Sequence, residues 1–220
     1  MKPLKLLLLA SGRGSHVVNL IEATRDGRIA GEICRVVCDR PGAIVLEKVN
    51  ALGVKSVLLT PATPGARLHR DAERQLTDIV GQDRPDLIAL CGFMRLLSAE
   101  VLDQVSAPVL NVHPSLLPAF RGLHAQRQAI EAGVRITGAT VHYVDSGMDT
   151  GPILLQAALD VCPEDSEESL SERLLPLEHR LYVDAIRLIQ SGAVHREGRT
   201  VHIDPTTLES PAPQGAHRRK

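Results

Sequence analysis

The stretch Leu4-Lys5-Leu6-Leu7-Leu8-Leu9-Ala10-Ser11-Gly12-Arg13-Gly14-Ser15-His16 decides the architecture. Its apolar run is too short for a secretory h-region and stops at a glycine-rich turn, so it reads as a buried first strand feeding a helix. Glycines 12 and 14 let backbone N–H groups approach a ligand, and the positive end of the following helix favours an anion. The spacing lacks the third glycine of a dinucleotide fingerprint and the Lys of a P-loop. On these residues alone, a phosphate cradle and a plain strand-to-helix turn stand on equal terms.

Outward from that turn, short β-branched or leucine-rich runs alternate with segments of helical period, the pattern of a parallel sheet with crossover helices. Strands are expected at residues 4–10, 33–38, 54–59, 87–91 and 109–112, and helices at 15–25, 42–52, 67–81 and 98–104. Residues 1–112 thus form a doubly wound, Rossmann-like half. A loop rich in Pro and Gly (113–122) then leads to a helix near 124–132 and two strand-like runs, 139–144 and 152–161, joined by Asp145-Ser146-Gly147-Met148-Asp149-Thr150-Gly151. The expected fold is therefore α/β with a mostly parallel sheet and an antiparallel extension in residues 113–203. Residues 166–189 read as a long helix that Pro176 should kink or break. Residues 204–220 are polar and Pro-containing and are expected to be disordered. The whole reads as one domain, 1–203, with a tail.

At 220 residues with 44% hydrophobic but only 2% aromatic content, the core must be aliphatic. A net charge of −1 supplies no basic field for a phosphate backbone, so nucleic acid is a poor partner and a bound anion should be small. No stretch approaches the ~20 apolar residues of a membrane span. The four cysteines, Cys34, Cys38, Cys91 and Cys162, lack CxxC spacing or nearby His and are expected to be buried, reduced thiols of a cytoplasmic protein. A homodimer is allowed by the sequence, which does not set the oligomeric state.

Chemistry concentrates at Asn111-Val112-His113-Pro114-Ser115-Leu116-Leu117-Pro118, at the end of a parallel strand. Asn111 and His113, two apart on an extended backbone, face one side at the carboxyl edge where open α/β sheets bind ligands. An amide N–H can stabilise an oxyanion and an imidazole can move a proton near neutral pH, as acyl-type transfer requires. Asp149, between Gly147 and Gly151, is the best carboxylate to complete the set and would favour the imidazolium. Its competing reading is a turn Asp that caps its own backbone. His142 could face either the site or the core.

Together with Gly122-Leu123-His124, Val141-His142-Tyr143-Val144, Met148-Asp149-Thr150-Gly151-Pro152 and Glu178-His179, these residues resemble the phosphoribosylglycinamide formyltransferases, folate-dependent enzymes of purine synthesis. The similarity runs from the first strand to about Ile189. It implies transfer of a formyl group from 10-formyltetrahydrofolate, a co-substrate, to the amine of 5'-phosphoribosylglycinamide, without a metal. Residues 113–203 would then be the folate and catalytic half. By resemblance, Gly14, Ser15 and His16 cradle the phosphate, and Leu175, Pro176, Leu177 and Glu178 hold the rest of that substrate. Arg67, Met94, Arg95, Leu96, Leu97, Asn111, Asp145, Ser146, Gly147, Met148 and Asp149 match folate positions. His113 matches the general acid, Asn111 the oxyanion partner and Asp149 the carboxylate beside the histidine.

His16 stands where the family usually has Asn, Leu175 is apolar where polar side chains often occur, and Val183 replaces a usual Pro. These leave the reaction class untouched. A formyltetrahydrofolate hydrolase would carry an extra N-terminal domain, and a methionyl-tRNA formyltransferase a further C-terminal domain and a basic surface. A non-enzymatic dinucleotide-binding module would explain the first 110 residues but not the Asn-x-His pair.

Overall fold

The computed structural model describes residues 2–204. The first strand, β1 (Leu4–Ala10), shows how the leucine run works. Successive side chains on a strand point to opposite faces. Leu6 and Leu8 accordingly join one core cluster with Val17, Leu20 and Ile21 of α1 (Ser15–Arg25), Val45 and Val49 of α2 (Ile44–Ala51), and the long α6 (Glu167–Ser191). Leu7 and Leu9 join a second with Leu76, Ile79 and Val80 of α3 (Arg70–Asp83) and Val101 of α4 (Ala99–Gln104). Two aliphatic layers therefore sandwich the sheet, and with so few rings available they are filled almost wholly by Leu, Val, Ile and Ala.

The strands β2 (Gly31–Cys38), β3 (Ser56–Leu58), β4 (Leu87–Leu90), β5 (Val109–His113), β6 (Ile136–Tyr143) and β7 (Ile153–Asp160) complete a seven-stranded sheet of order β3-β2-β1-β4-β5-β6-β7. The five strands from β3 to β5 are parallel, while β6 and β7 run antiparallel. Strand order reverses between β1 and β4, which opens the crevice where such sheets take ligands. There the glycine turn is tied to the loop after β4: Ser11 N–H donates to Gly92 O at 3.2 Å and Met94 N–H to Ser11 Oγ at 2.8 Å. This is the α/β fold with an antiparallel C-terminal side that the sequence leads one to expect.

Several expectations need correction. The helix expected from residue 67 starts at Arg70, because Arg67 bridges Leu96 as an extended residue and the His69 side chain caps the helix by accepting from Asp71 N. Pro176 does not break α6, which runs 25 residues without interruption. Buried Leu170 and Leu174 before the proline and Leu177, Leu181 and Tyr182 after it lie in one core, and this packing outweighs a lost backbone bond on the exposed side of the helix. A hairpin, β8 (Val194–Glu197) and β9 (Thr200–Ile203), was not expected; Gly192 at φ 76° ends α6 and Gly198 at φ 58° turns the chain. All four cysteines are free, but only Cys38 and Cys91 are buried; Cys34 is half-buried and Cys162 exposed. The expected disordered tail falls, apart from Asp204, outside the described residues. Among the described residues no helix is long and apolar enough to cross a membrane. One loop-rich helix, α5 (Ala125–Glu131), follows the segment that leaves β5.

Candidate active site

Asn111 and His113 project from the last turn of the pleat of β5 toward one carboxylate. His113 Nδ1 is 3.3 Å from Asp149 Oδ2, and Asn111 Nδ2 donates to Asp149 Oδ1 at 3.5 Å. Antiparallel pairing sets His142 of β6 directly opposite Asn111, and this settles the question of its orientation. His142 Nε2 lies 3.3 Å from Asn111 Nδ2 and 3.6 Å from Asp149 Oδ1. The Gly122 N–H also donates to Asp149 Oδ2, at 2.8 Å. Four groups from three chain segments, β5, β6 and the loop at Gly122, thus converge on one acidic side chain.

The loop that carries Asp149 is held by its neighbours. Asp145 Oδ1 accepts from Gly147 N–H at 3.1 Å and from the Thr150 hydroxyl at 2.5 Å. A Cβ on Gly147 would collide with that hydroxyl, and one on Gly151 with the Tyr143 carbonyl, so both positions require glycine. Asp149 itself sits at φ 52° and Phe120 at φ 54°. Backbone of this kind in residues other than glycine costs on the order of 1–3 kcal/mol and clusters where a site must be pre-formed. On the far side, Thr140 accepts from Leu117 N–H at 3.0 Å and donates to Ser115 O at 2.7 Å, fixing the 114–120 loop. That loop delivers the Phe120 carbonyl, which accepts from His113 Nε2–H at 2.8 Å.

Asp149 is held below the ordinary carboxylate value. Burial alone would raise it, but the hydrogen bond to His142, the charge of His113 and the Gly122 N–H together outweigh that effect. The carboxylate is therefore ionised where the imidazoles need a counter-charge. His113 is flanked by two acceptors, Phe120 O and Asp149 Oδ2, so only a ring with both nitrogens protonated satisfies both. Asp149 also lines a cleft of about 320 Å³ together with Pro118, Arg121, Thr150 and Arg199.

The glycine turn lies at the other end of the crevice. Gly14 precedes α1 at φ 75°, and a Cβ there would stand 2.5 Å from Val45 Cγ2, so glycine is demanded by both conformation and space. The first N–H groups of α1, including those of Ser15 and His16, have no helical acceptor ahead of them and suit an anion. Lys48 Nζ, bonded to Arg13 O at 3.0 Å, adds a cation beside the turn. The His16 side chain points away from this role: it is buried against Glu178, with Nε2 to Oε2 at 3.0 Å.

The remaining candidate positions divide. Met94 and Met148 are exposed at 49% and 51%, available to an apolar ligand, and Arg67 is exposed. Ser146 is exposed and Leu96, Asp145 and Gly147 half-buried. Leu97 and Leu177 are core residues, and Leu175 is half-buried with Pro176 exposed beside it. Arg95 is committed to the fold: its Nε pairs with buried Asp39 at 2.6 Å, and its other nitrogens donate to Thr63 O and Gly65 O. Any ligand contact at Arg95, Leu97 or Leu177 then falls to backbone. Among the described residues no group of three or more His, Cys, Asp or Glu side chains could hold a metal ion.

The chain is similar to known proteins over most of its length. The formyl transferase family model matches residues 4–186. The chain is 36% identical over 183 residues to the phosphoribosylglycinamide formyltransferase of Bacillus subtilis, covering 83% of this chain and 93% of that one. It is 40% identical over 190 residues to the trifunctional purine biosynthetic protein adenosine-3 of Drosophila melanogaster, of which it spans 14%. A glycinamide ribonucleotide transformylase 1 from Symbiobacterium toebii superposes with a TM-score of 0.85 at 42% identity, over 91% of this chain and 94% of that one. The convergence on Asp149, the doubly wound sheet and these matches place the chain in the formyl transferase family, alongside the phosphoribosylglycinamide formyltransferases.

Proposed function

We propose that this site transfers the formyl group of 10-formyltetrahydrofolate to the amine of 5'-phosphoribosylglycinamide, giving 5'-phosphoribosyl-N-formylglycinamide and tetrahydrofolate in purine (IMP) synthesis. The observation that carries the reading is the shared contact of Asn111, His113 and His142 with Asp149 at the carboxyl edge of the sheet. Attack of the amine on the formyl carbon places negative charge on the formyl oxygen. An Asn111 N–H and protonated His113 stabilise it. Collapse of the tetrahedral adduct breaks the bond to the folate nitrogen, which takes up a proton as the attacking nitrogen loses one. Asp149 offsets the charge on the imidazole during this exchange. The N–H groups of 14–16 hold the phosphate, with Glu178 beyond it. Met94, Met148 and the backbone of 95–97 and 145–149 receive the folate.

The amine dependence of deformylation tests this. Purified protein is incubated with 10-formyltetrahydrofolate, with and without phosphoribosylglycinamide, and tetrahydrofolate is followed. Deformylation that requires the amine is the expected result; deformylation without it points to hydrolysis, and none in either arm rejects the reading.

A further inference from the structure

Outside the catalytic cluster, three side chains meet where the glycine turn faces α6. His16 and Glu178 are both more than nine-tenths buried, at 9% and 7% exposure. Their Nε2 and Oε2 are 3.0 Å apart. The His179 ring stands edge-on to His16 with centroids 4.9 Å apart. A carboxylate oxygen can only accept, so His16 Nε2 carries a proton and donates it. Glu178 Oε1, by contrast, receives no donor from the described residues.

Two ring nitrogens, His16 Nδ1 and His179 Nε2, are sealed from solvent without a partner among the described residues. A buried ion pair is weak evidence for stability, since apolar residues of similar volume often do as well, and unpaired buried polar atoms call for an explanation. His179 is depressed to about 4 by burial and then by the charge of His16, so it stays neutral near pH 7 and does not compete for Glu178. One turn further along α1, Asn19 Nδ2 donates to His179 O at 3.0 Å. The start of α1 and the middle of α6 are thereby joined by side chains at two successive levels.

We propose that His16 is a positioning residue that binds the anion cradle and the Glu178 carboxylate into one unit, which grips the phosphate and the hydroxyl-bearing sugar of a sugar phosphate together. Its backbone N–H belongs to the first turn of α1, while its imidazole takes one Glu178 oxygen and leaves the other for a substrate hydroxyl. Displacement of either end therefore loosens the other. This rests on the proposed reading of segments 14–16 and 175–178 as substrate contacts.

The test is calorimetric binding of ribose 5-phosphate and of inorganic phosphate to wild type, His16→Ala, His16→Gln, Glu178→Gln and the His16→Ala/Glu178→Gln double variant, beside steady-state kinetics. Loss of a charge-assisted bond predicts about tenfold or more weaker ribose 5-phosphate binding in His16→Ala. The KM for phosphoribosylglycinamide should rise in parallel, with kcat and the folate KM within about twofold. His16→Gln, which retains an N–H donor, should recover part of the loss. The double variant should lose no more than the worse single one, and inorganic phosphate should bind Glu178→Gln more weakly than it binds wild type, with a smaller loss than ribose 5-phosphate shows. The inference is overturned if His16→Ala binds ribose 5-phosphate like wild type, if the two losses add, if the folate KM and thermal midpoint move in step with it, or if wild type binds no ribose 5-phosphate. A wild type that binds ribose 5-phosphate but transfers no formyl group rejects only the reaction proposed above.

Discussion

His142 stands directly across the β5–β6 pair from Asn111, and its Nε2 lies 3.3 Å from the Asn111 amide nitrogen. The ring's other nitrogen donates to Tyr143 O at 2.8 Å. With Nδ1–H committed to that carbonyl, Nε2 faces both the Asn111 amide and Asp149 Oδ1, at 3.3 and 3.6 Å, and so sets the amide beside the acidic loop. Both amide contacts are long, at 3.3 and 3.5 Å, so an incoming oxyanion can take over one N–H without breaking a strong bond.

Asn111→Ala should therefore lower kcat by about 10²–10³, the usual cost of one oxyanion donor. The fold should persist, since Asn111 is only half-buried at a strand end and belongs to neither aliphatic core. Turnover near wild type in a variant with a native circular dichroism spectrum would remove Asn111 from the mechanism.

Asp149→Asn should cost about 10²–10⁴ in kcat, the range for losing assistance to a proton-moving group. The same substitution should alter stability against pH. Asp149 is held below the ordinary carboxylate value, so its contribution is present above about pH 4 and is lost as pH falls through the lower folded value. Urea midpoints of wild type should thus drop more steeply below about pH 4 than those of Asp149→Asn. Parallel curves, with kcat within tenfold, would leave Asp149 as a turn residue.

Much of this arrangement is legible in the chain, for definite reasons. The limits of β1 and α1 follow from a leucine run and a glycine that no other residue could replace. The shared direction of Asn111 and His113 follows from the two-residue period of a strand. The orientation of His142 does not, because it depends on the antiparallel register between β5 and β6, which turns on a loop and a helix lying between them. Nor does the approach of Asp149 to His113, across 36 positions, follow from local spacing; without the resemblance it would have been a turn residue between glycines. The β8–β9 hairpin is hidden for another reason. It is short and charged, and only Val194, Val201 and Ile203 pack on the core. At Pro176 local propensity points one way and the packing of α6 the other, and packing prevails.

His179 offers a stability measurement independent of catalysis. Burial and the charge of His16 depress it to about 4, so the folded protein binds fewer protons than the unfolded chain between that value and the ordinary one near 6.5. For a depressed group the stability is full above the unfolded value and falls as pH drops toward the folded one. Wild type should lose stability from about pH 6.5 to 4, and His179→Gln should lose less across that window. Equal slopes in denaturant titrations at pH 6.5, 5.5 and 4.5 would mean that His179 titrates freely in the folded protein.

Tyr182 links α6 to the strand that carries the catalytic pair. Its side chain is fully buried, and its hydroxyl lies 3.1 Å from Leu90 O and 3.0 Å from Leu110 O, sharing one proton between two carbonyls. Leu90 pairs in register with Asn111, and Leu110 precedes it, so the hydroxyl clamps β4 to β5 immediately behind the site. Tyr182→Phe keeps the ring in the core and leaves the buried carbonyls without this donor. The cost should be about 1–3 kcal/mol, which for a chain of this size is a fall in Tm of roughly 2–4 °C per kcal/mol. Asn111, His113 and Asp149 touch neither the hydroxyl nor each other through it, so kcat measured well below the transition should stay within a few-fold of wild type. A stable variant with collapsed turnover would show instead that this hydroxyl sets the position of Asn111, and that the strand end is not rigid without it.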